Sequence, residues 1–179
     1  QRYDDRMLFE NAYDLLSGVW LGSYDAYALA KGIGYPMFLV LAKKLCLPYS
    51  VLLALLQAVG AWLFVRALSV RWKNPYGQTL LYLLFSPISL TQLVTQRLYR
   101  MAIVPGMVLV VFSGMIGLTL RKELPLKKQL PWAVLTGMAL AFFWQIREDS
   151  VWILPFIAVM TVWNVGYVIL ALHKKRTGR

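Results

Sequence analysis

Residues Met101–Leu120 read MAIVPGMVLVVFSGMIGLTL, twenty consecutive positions without one charged side chain. A helix needs roughly 20 apolar residues to cross about 30 Å of hydrocarbon. A segment this apolar on all sides belongs in a bilayer. Working outward, charged residues punctuate four further segments of the same kind. These are Tyr49–Ser69 (holding VLLALLQAVGAWLFV), Tyr76–Gln96, Leu130–Ile146 and Val151–Leu172 (VWILPFIAVMTVWNVGYVILAL). Ser86-Pro87, Pro105 and Pro155 fall inside them. Proline breaks helices in water but is tolerated in a membrane bundle, often as a kink. The expected fold is all-α: a polytopic transmembrane helix bundle of about five spans over residues 49–179.

Composition agrees with that reading. Of 179 residues 59% are hydrophobic and 15% charged, against about 45–50% and about 25% in an ordinary soluble domain. A water-soluble domain, a disordered chain and a disulfide-stapled module are all excluded. Nineteen Lys/Arg against eight Asp/Glu leave a net charge of +11. The bases do not form one continuous run, so nucleic acid is not an expected partner. Cys46 has no second cysteine to pair with, and His173 alone makes no zinc site.

Residues 1–48 differ from the rest. Asp5–Ser17 repeats apolar side chains at helical spacing (Leu8, Phe9, Ala12, Tyr13, Leu15, Leu16), leaving a polar face. Tyr35–Leu47 is too short to cross and carries Lys43 and Lys44, which suits an interfacial helix with snorkelling lysines. Between them lies a glycine- and aromatic-rich loop suited to the headgroup layer. The expectation for 1–48 is an extracytoplasmic loop with interfacial amphipathic helices. The chain opens on Gln1 and closes at RTGR just beyond the last span, which reads as a piece of a longer membrane protein with at least one span upstream.

Five alternating spans sort the charges by side. Arg66, Arg71, Lys73, Arg121, Lys122, Lys127, Lys128, Lys174, Lys175, Arg176 and Arg179 share a side with one acid, Glu123, for a net +10. The other side holds eight bases and seven acids, a net +1. Basic residues accumulate in cytoplasmic loops, so the balanced side faces outward.

On that outer side three separate loops bring charge: Asp4-Asp5, the QRLYR turn (Gln96–Arg100), and Arg147-Glu148-Asp149. Gln92, Gln96 and Arg100 recur every four residues along one helix face. Carboxylates in a partly dry cleft act as general base or bind a divalent metal through oxygen. Arginines grip phosphate and stay charged when desolvated. Together they suit a phosphate-bearing lipid donor, with Trp20, Tyr24, Tyr27 and Tyr35 as a stacking surface for sugar. Plainer readings stand beside this one: Asp4 or Asp5 as a helix cap, Arg147–Asp149 as a solvated loop, Arg97 and Arg100 as lipid-phosphate contacts, Cys46 as an interfacial hydrophobe.

An outer loop with YDD (Tyr3–Asp5), a helix with the Pro-containing turn KGIGYPMF (Lys31–Phe38), and spans ending in basic loops resemble the GT-C glycosyltransferases. The nearest likeness is to bacterial polyprenyl-phosphate-sugar-dependent enzymes related to protein O-mannosyltransferases. GSYDAYALAKGIGYPMFL (Gly22–Leu39), QRLYR and WQIREDSVWILP (Trp144–Pro155) are also similar to an uncharacterised group of bacterial GT-C-like membrane proteins. That group carries motifs of the type LAKGPGYP, RxxR and TREE/WLLP. Gly34-Tyr35-Pro36 stands where the mannosyltransferase-like enzymes have paired prolines.

The resemblance implies a sugar transferase in the bacterial inner membrane with an extracytoplasmic active face. Asp5 or Asp4 would be its base or its ligand for a divalent ion such as magnesium or manganese. Glu148 and Asp149 would form a second acidic site, and Arg97, Arg100 and Arg147 would contact the phosphate of a polyprenyl-phosphate-linked sugar. Gln96, Lys31 and Tyr35 would complete the substrate site. Two rivals use the same charges differently. One is a transporter or flippase for a lipid-linked or anionic solute, and the other a non-catalytic membrane subunit.

Overall fold

A computed structural model of the chain describes residues 2–20, 32–90, 100–146 and 150–177. Every regular element among the described residues is helical. Helix α1 (Arg2–Leu16) stops at Gly18, whose φ of +81° permits two closing hydrogen bonds. Gly18 N–H donates to the Leu15 carbonyl and Val19 N–H to that of Asp14, the pattern that satisfies orphan carbonyls at a helix end. Helix α2 (Gly34–Lys44) ends the same way, but with Cys46 at φ +52° in the position glycine usually fills. Cys46 is therefore an exposed, left-handed turn residue as well as an apolar one. Helix α1 packs on α2, whose buried face is Gly34, Tyr35, Pro36, Phe38 and Ala42.

Helix α3 (Tyr49–Leu68) matches the first expected span. After a short turn Asn74 opens α4 (Pro75–Phe85), its Oδ1 accepting from the N–H groups of Tyr76 and Gly77 while Pro75 fills the first helical position. The expected span Tyr76–Gln96 is not one helix. It breaks at Ser86 and resumes as α5 (Pro87–Leu90). Pro87 has no N–H to give the Leu83 carbonyl. The Ser86 hydroxyl donates to that oxygen instead, at 2.8 Å. Gln57, buried on α3, donates its side-chain amide to the carbonyl of Phe85, the last residue before the break, at 2.8 Å.

Helix α6 (Val104–Leu120) follows a single 3-10 turn, Arg100–Ala102. Helix α7 (Leu126–Ile146) starts four residues before the expected span, and α8 (Leu154–Thr177) follows the turn Ser150–Ile153. Pro105 and Pro155 each occupy the second residue of a helix, so they start α6 and α8 rather than kink them. Pro131 is the proline inside a helix, in the second turn of α7.

Helix α6 is the centre of the bundle, packed against α3 and then α7. A Cβ added at Gly60 of α3 would stand 3.0 Å from the Gly106 carbonyl oxygen and 3.0 Å from Leu109 Cβ. Further along, Ser113 Oγ approaches the Gly60 carbonyl and Arg121 reaches that of Ala67, so α3 and α6 run parallel. Gly114 faces Thr136 and Gly117 faces the Trp132 ring, so α7 runs antiparallel to α6. Phe112 meets Phe156, and Thr119 accepts from Asn164 at 3.0 Å, which makes α8 parallel to α6. Helices α3, α6 and α8 thus begin at one end, called upper here, and finish at the lower end.

Two stretches are long and apolar enough to cross a membrane by length and composition: Tyr49–Leu68 and Arg100–Leu120, with mean hydropathies of 2.0 and 2.2. The outward faces of α4, α7 and α8 are also apolar. Leu80 and Leu84 on α4, Val134 and Met138 on α7, and Val159, Val162, Ile169 and Leu170 on α8 are all more than half exposed.

Gly114→Leu is expected to lower stability by about 1–3 kcal/mol, because Thr136 leaves no room for the side chain. Gly137→Ala on α7, where an added Cβ meets nothing within 4 Å, should change it by less than about 1 kcal/mol. Thermal unfolding in detergent, followed by circular dichroism, separates the two. Equal losses at both positions would remove close helix approach as the cause.

Candidate functional site

The upper end gathers the flanks of the loops that the sequence singled out. Gly32 and Gly34, from KGIGYP, lie against the final turn of α7. A Cβ on Gly32 would collide with the Gln145 carbonyl, and one on Gly34 would stand 2.8 Å from Gln145 C and 2.9 Å from Ile146 N. Only hydrogen side chains permit this backbone-to-backbone approach. The stretch after Lys31 is thereby held against the residues that immediately precede Arg147-Glu148-Asp149. The turn Arg100–Ala102 leads into the upper start of α6, and Ala102 and Ile103 are buried in the same core as Leu8 of α1, Tyr35 of α2, Ile146 of α7 and Ile153 ahead of α8. Arg100 itself is half-buried.

Tyr35, expected at the substrate, is a core residue instead. It is 1% exposed, its hydroxyl donates to that of Tyr49 at 3.0 Å, and the two rings meet edge to face. A phenol so placed satisfies its own polar group inside the fold and offers no open ring face for stacking. Asp4 and Asp5, expected ahead of a helix or at its cap, lie within α1, which starts at Arg2. Acids in a first helical turn are favourable there; the side chains of both lie outside the described residues. Lys31, Gln96, Arg97, Arg147, Glu148 and Asp149 also lie outside them. Among the described residues no group of three or more His, Cys, Asp or Glu is placed to hold a metal ion.

The lower end carries the bases. Arg66, Arg71 and Lys73 close α3 and the turn after it, Arg121 and Lys122 follow α6, and Lys127 and Lys128 open α7. Arg121, 9% exposed, is the organiser. Its Nη1 donates to the carbonyls of Ala67 at 3.2 Å and Gly117 at 3.1 Å, and its Nη2 to that of Arg66 at 2.7 Å. The guanidinium also lies 4.3 Å from the centroid of the Trp132 ring of α7. One side chain therefore caps the ends of two helices and stacks on a third. Burial first, and the neighbouring Arg66 charge second, lower its pKa from the usual guanidinium value; an arginine keeps its charge through such shifts. Beside it Glu123 accepts from the Tyr167 hydroxyl at 3.1 Å and faces Arg71 at 3.9 Å.

Sequence reasoning passed over two polar residues that the structure makes central. Gln57 is the one amide inside the apolar run of α3, and that isolation was its signal. Arg121 is the first charge after a twenty-residue apolar stretch, and position alone ranks it with every other loop base. Compared with family models, with curated proteins and with solved structures, the chain finds no match.

Arg121→Met should destabilise the protein by about 2–3 kcal/mol, since three carbonyls lose a charged donor while the volume is kept. Arg121→Lys should recover less than half of that, because an ammonium cannot fork across two helix ends. Denaturant midpoints of the two variants in detergent give the comparison. A methionine variant as stable as the parent would show that the cap contributes nothing.

Proposed function

We propose that the chain is a multi-pass membrane protein and that its upper end is the working face of a GT-C-type glycosyltransferase. The membrane reading draws on the outward apolar faces of α4, α7 and α8. Soluble monomers rarely leave contiguous apolar patches beyond a few hundred Å2, whereas hydrocarbon tails cover such faces at no cost. The gathering of bases at the lower end supports a cytoplasmic side there, with the upper end outside.

The observation that carries the functional reading is the contact of Gly32 and Gly34 with Gln145 and Ile146. It brings the flanks of KGIGYP and of the Arg147-Glu148-Asp149 loop to one place, at the end of the bundle where the Arg100 turn opens α6. In the proposed reaction a carboxylate, Asp5 or Asp4, takes the proton from an acceptor hydroxyl. The freed oxygen attacks the anomeric carbon as the bond from that carbon to the phosphate oxygen breaks. Polyprenyl phosphate leaves, its charge matched by Arg97, Arg100 and Arg147. Gln96 and Lys31 belong to the same face, and Glu148 and Asp149 form its second acidic group. Asp4 and Asp5 are also the residues that would hold a divalent ion such as magnesium or manganese.

A transporter of a lipid-linked or anionic solute is the second reading, and the break between α4 and α5 favours it. Interrupted helices deep in a bundle are a common way to build a solute site, and this one has Gln57 and Ser86 beside it.

Asp5→Asn or Asp4→Asn should cut sugar transfer from a polyprenyl-phosphate donor by about a hundredfold or more, with the protein still monodisperse in detergent. Proteoliposomes carrying labelled donor test the pair of readings. Full transfer by both variants would defeat the catalytic role, and donor crossing the bilayer without bond formation would move the assignment to transport.

A further inference from the structure

Along the outer face of α8 an open apolar groove of about 550 Å3 runs down to the lower end, and the upper-end site makes no use of it. Val159, Val162, Gly166 and Leu170 line its length, and Trp163, Tyr167 and Lys122 complete the lining toward the lower end. That volume lies within the range of ordinary small-molecule sites, about 300–1,000 Å3. Lys122 is fixed rather than loose: its Nζ lies 3.5 Å from the centroid of the Tyr167 ring and 5.7 Å from that of Trp163. An ammonium has three N–H donors, and stacking on a ring face leaves donors for an anion. The nearby Glu123 carboxylate is already met by the Tyr167 hydroxyl and by Arg71. Lys127 and Lys128 add positive charge at the same end.

We infer that this groove binds an anionic phospholipid, one acyl chain lying along Val159, Val162 and Gly166 and the phosphate held at Lys122. Charge complementarity selects the occupant. A wholly apolar groove takes any acyl chain, but a lysine fixed in its lining beside further bases favours a headgroup with net negative charge. Trp163 and Tyr167 suit the depth at which headgroup and chain meet. The inference rests on the membrane reading above and not on sugar transfer.

Native mass spectrometry of the full chain, titrated in detergent with phosphatidylglycerol or phosphatidylcholine, tests it. The chain should retain one phosphatidylglycerol about fivefold more strongly than phosphatidylcholine, a preference that Lys122→Gln removes and Lys122→Arg keeps. Gly166→Leu enters open space, since an added Cβ there meets nothing within 4 Å. It should weaken retention of both lipids while helical content by circular dichroism stays unchanged. Equal retention of the two lipids by the parent and Lys122→Gln would overturn the site. So would inorganic phosphate displacing phosphatidylglycerol at equal concentration, or a dimer mass that Gly166→Leu returns to monomer, which would assign the groove to a second copy. A chain that stays in solution without detergent defeats the membrane reading and the lipid site together; a detergent-requiring chain indifferent to headgroup defeats the lipid site alone.

Discussion

Where α3 crosses α6, Gly60 and Gly106 put one backbone almost against the other, and the positions of the remaining helices follow from that spacing. In the bilayer proposed for this chain, a medium as apolar as the side chains themselves, helices would gain little by hiding leucines from it. Close van der Waals fit and hydrogen bonds between helices have to hold the bundle instead. Both are present along this seam. Ser113 turns its hydroxyl toward backbone carbonyls, Gln57 reaches across to α4, and Arg121 closes the far end over the carbonyls of Arg66, Ala67 and Gly117. Further along α6 the scheme repeats with Gly114 and Gly117, which admit Thr136 and Trp132 of α7. Helix α8 has no such glycine contact; it touches α6 through Phe156 and Asn164, and Tyr167 reaches Glu123 in the turn beyond.

Helix positions were legible wherever hydrophobic length alone decides the matter. The run from Tyr49 to Ser69 became α3 almost residue for residue, because Pro48 and the bases after it bound the run on both sides. Where proline intervenes, counting apolar residues loses resolution. Pro105 and Pro155 lack an N–H that the first helical turn would leave unpaired in any case, so they mark beginnings. Pro87 lies where a continuous helix would need its N–H, so it divides one apolar run into two pieces. The three prolines look alike in sequence, and the hydrogen-bond partners around each make the difference.

Of the proposed site, the sequence marked loops whose described flanks meet, and it misjudged the role of Tyr35. KGIGYP was singled out as a motif for its proline and tyrosine, yet its two glycines make the contact that matters, against the end of α7. Tyr35 shows why: an aromatic residue in a glycine-rich stretch serves equally as a stacking surface or as a core wedge. The choice depends on whether a partner such as Tyr49 awaits its hydroxyl. That partner stands fourteen residues away on another helix, beyond the reach of local pattern. Arg121 carries the same lesson for charge. Sequence alone counts it as one of a row of neighbouring bases, while its own role comes from which carbonyls it finds.

Helix direction gives the basic end a second meaning. Aligned peptide dipoles leave about half a negative charge where a helix finishes and about half a positive one where it starts. Helices α3, α6 and α8 finish at the lower end, while α4 and α7 start there. The backbone thus leaves that end with a net field of about half a negative charge. Arg121 lies on the two helix ends that abut, α3 and α6, where the macrodipoles add rather than cancel. The bases gathered at the lower end are accordingly counterions to the protein's own main chain. Moving them to the opposite end would invert an electrostatic match inside the fold, whatever surrounds it.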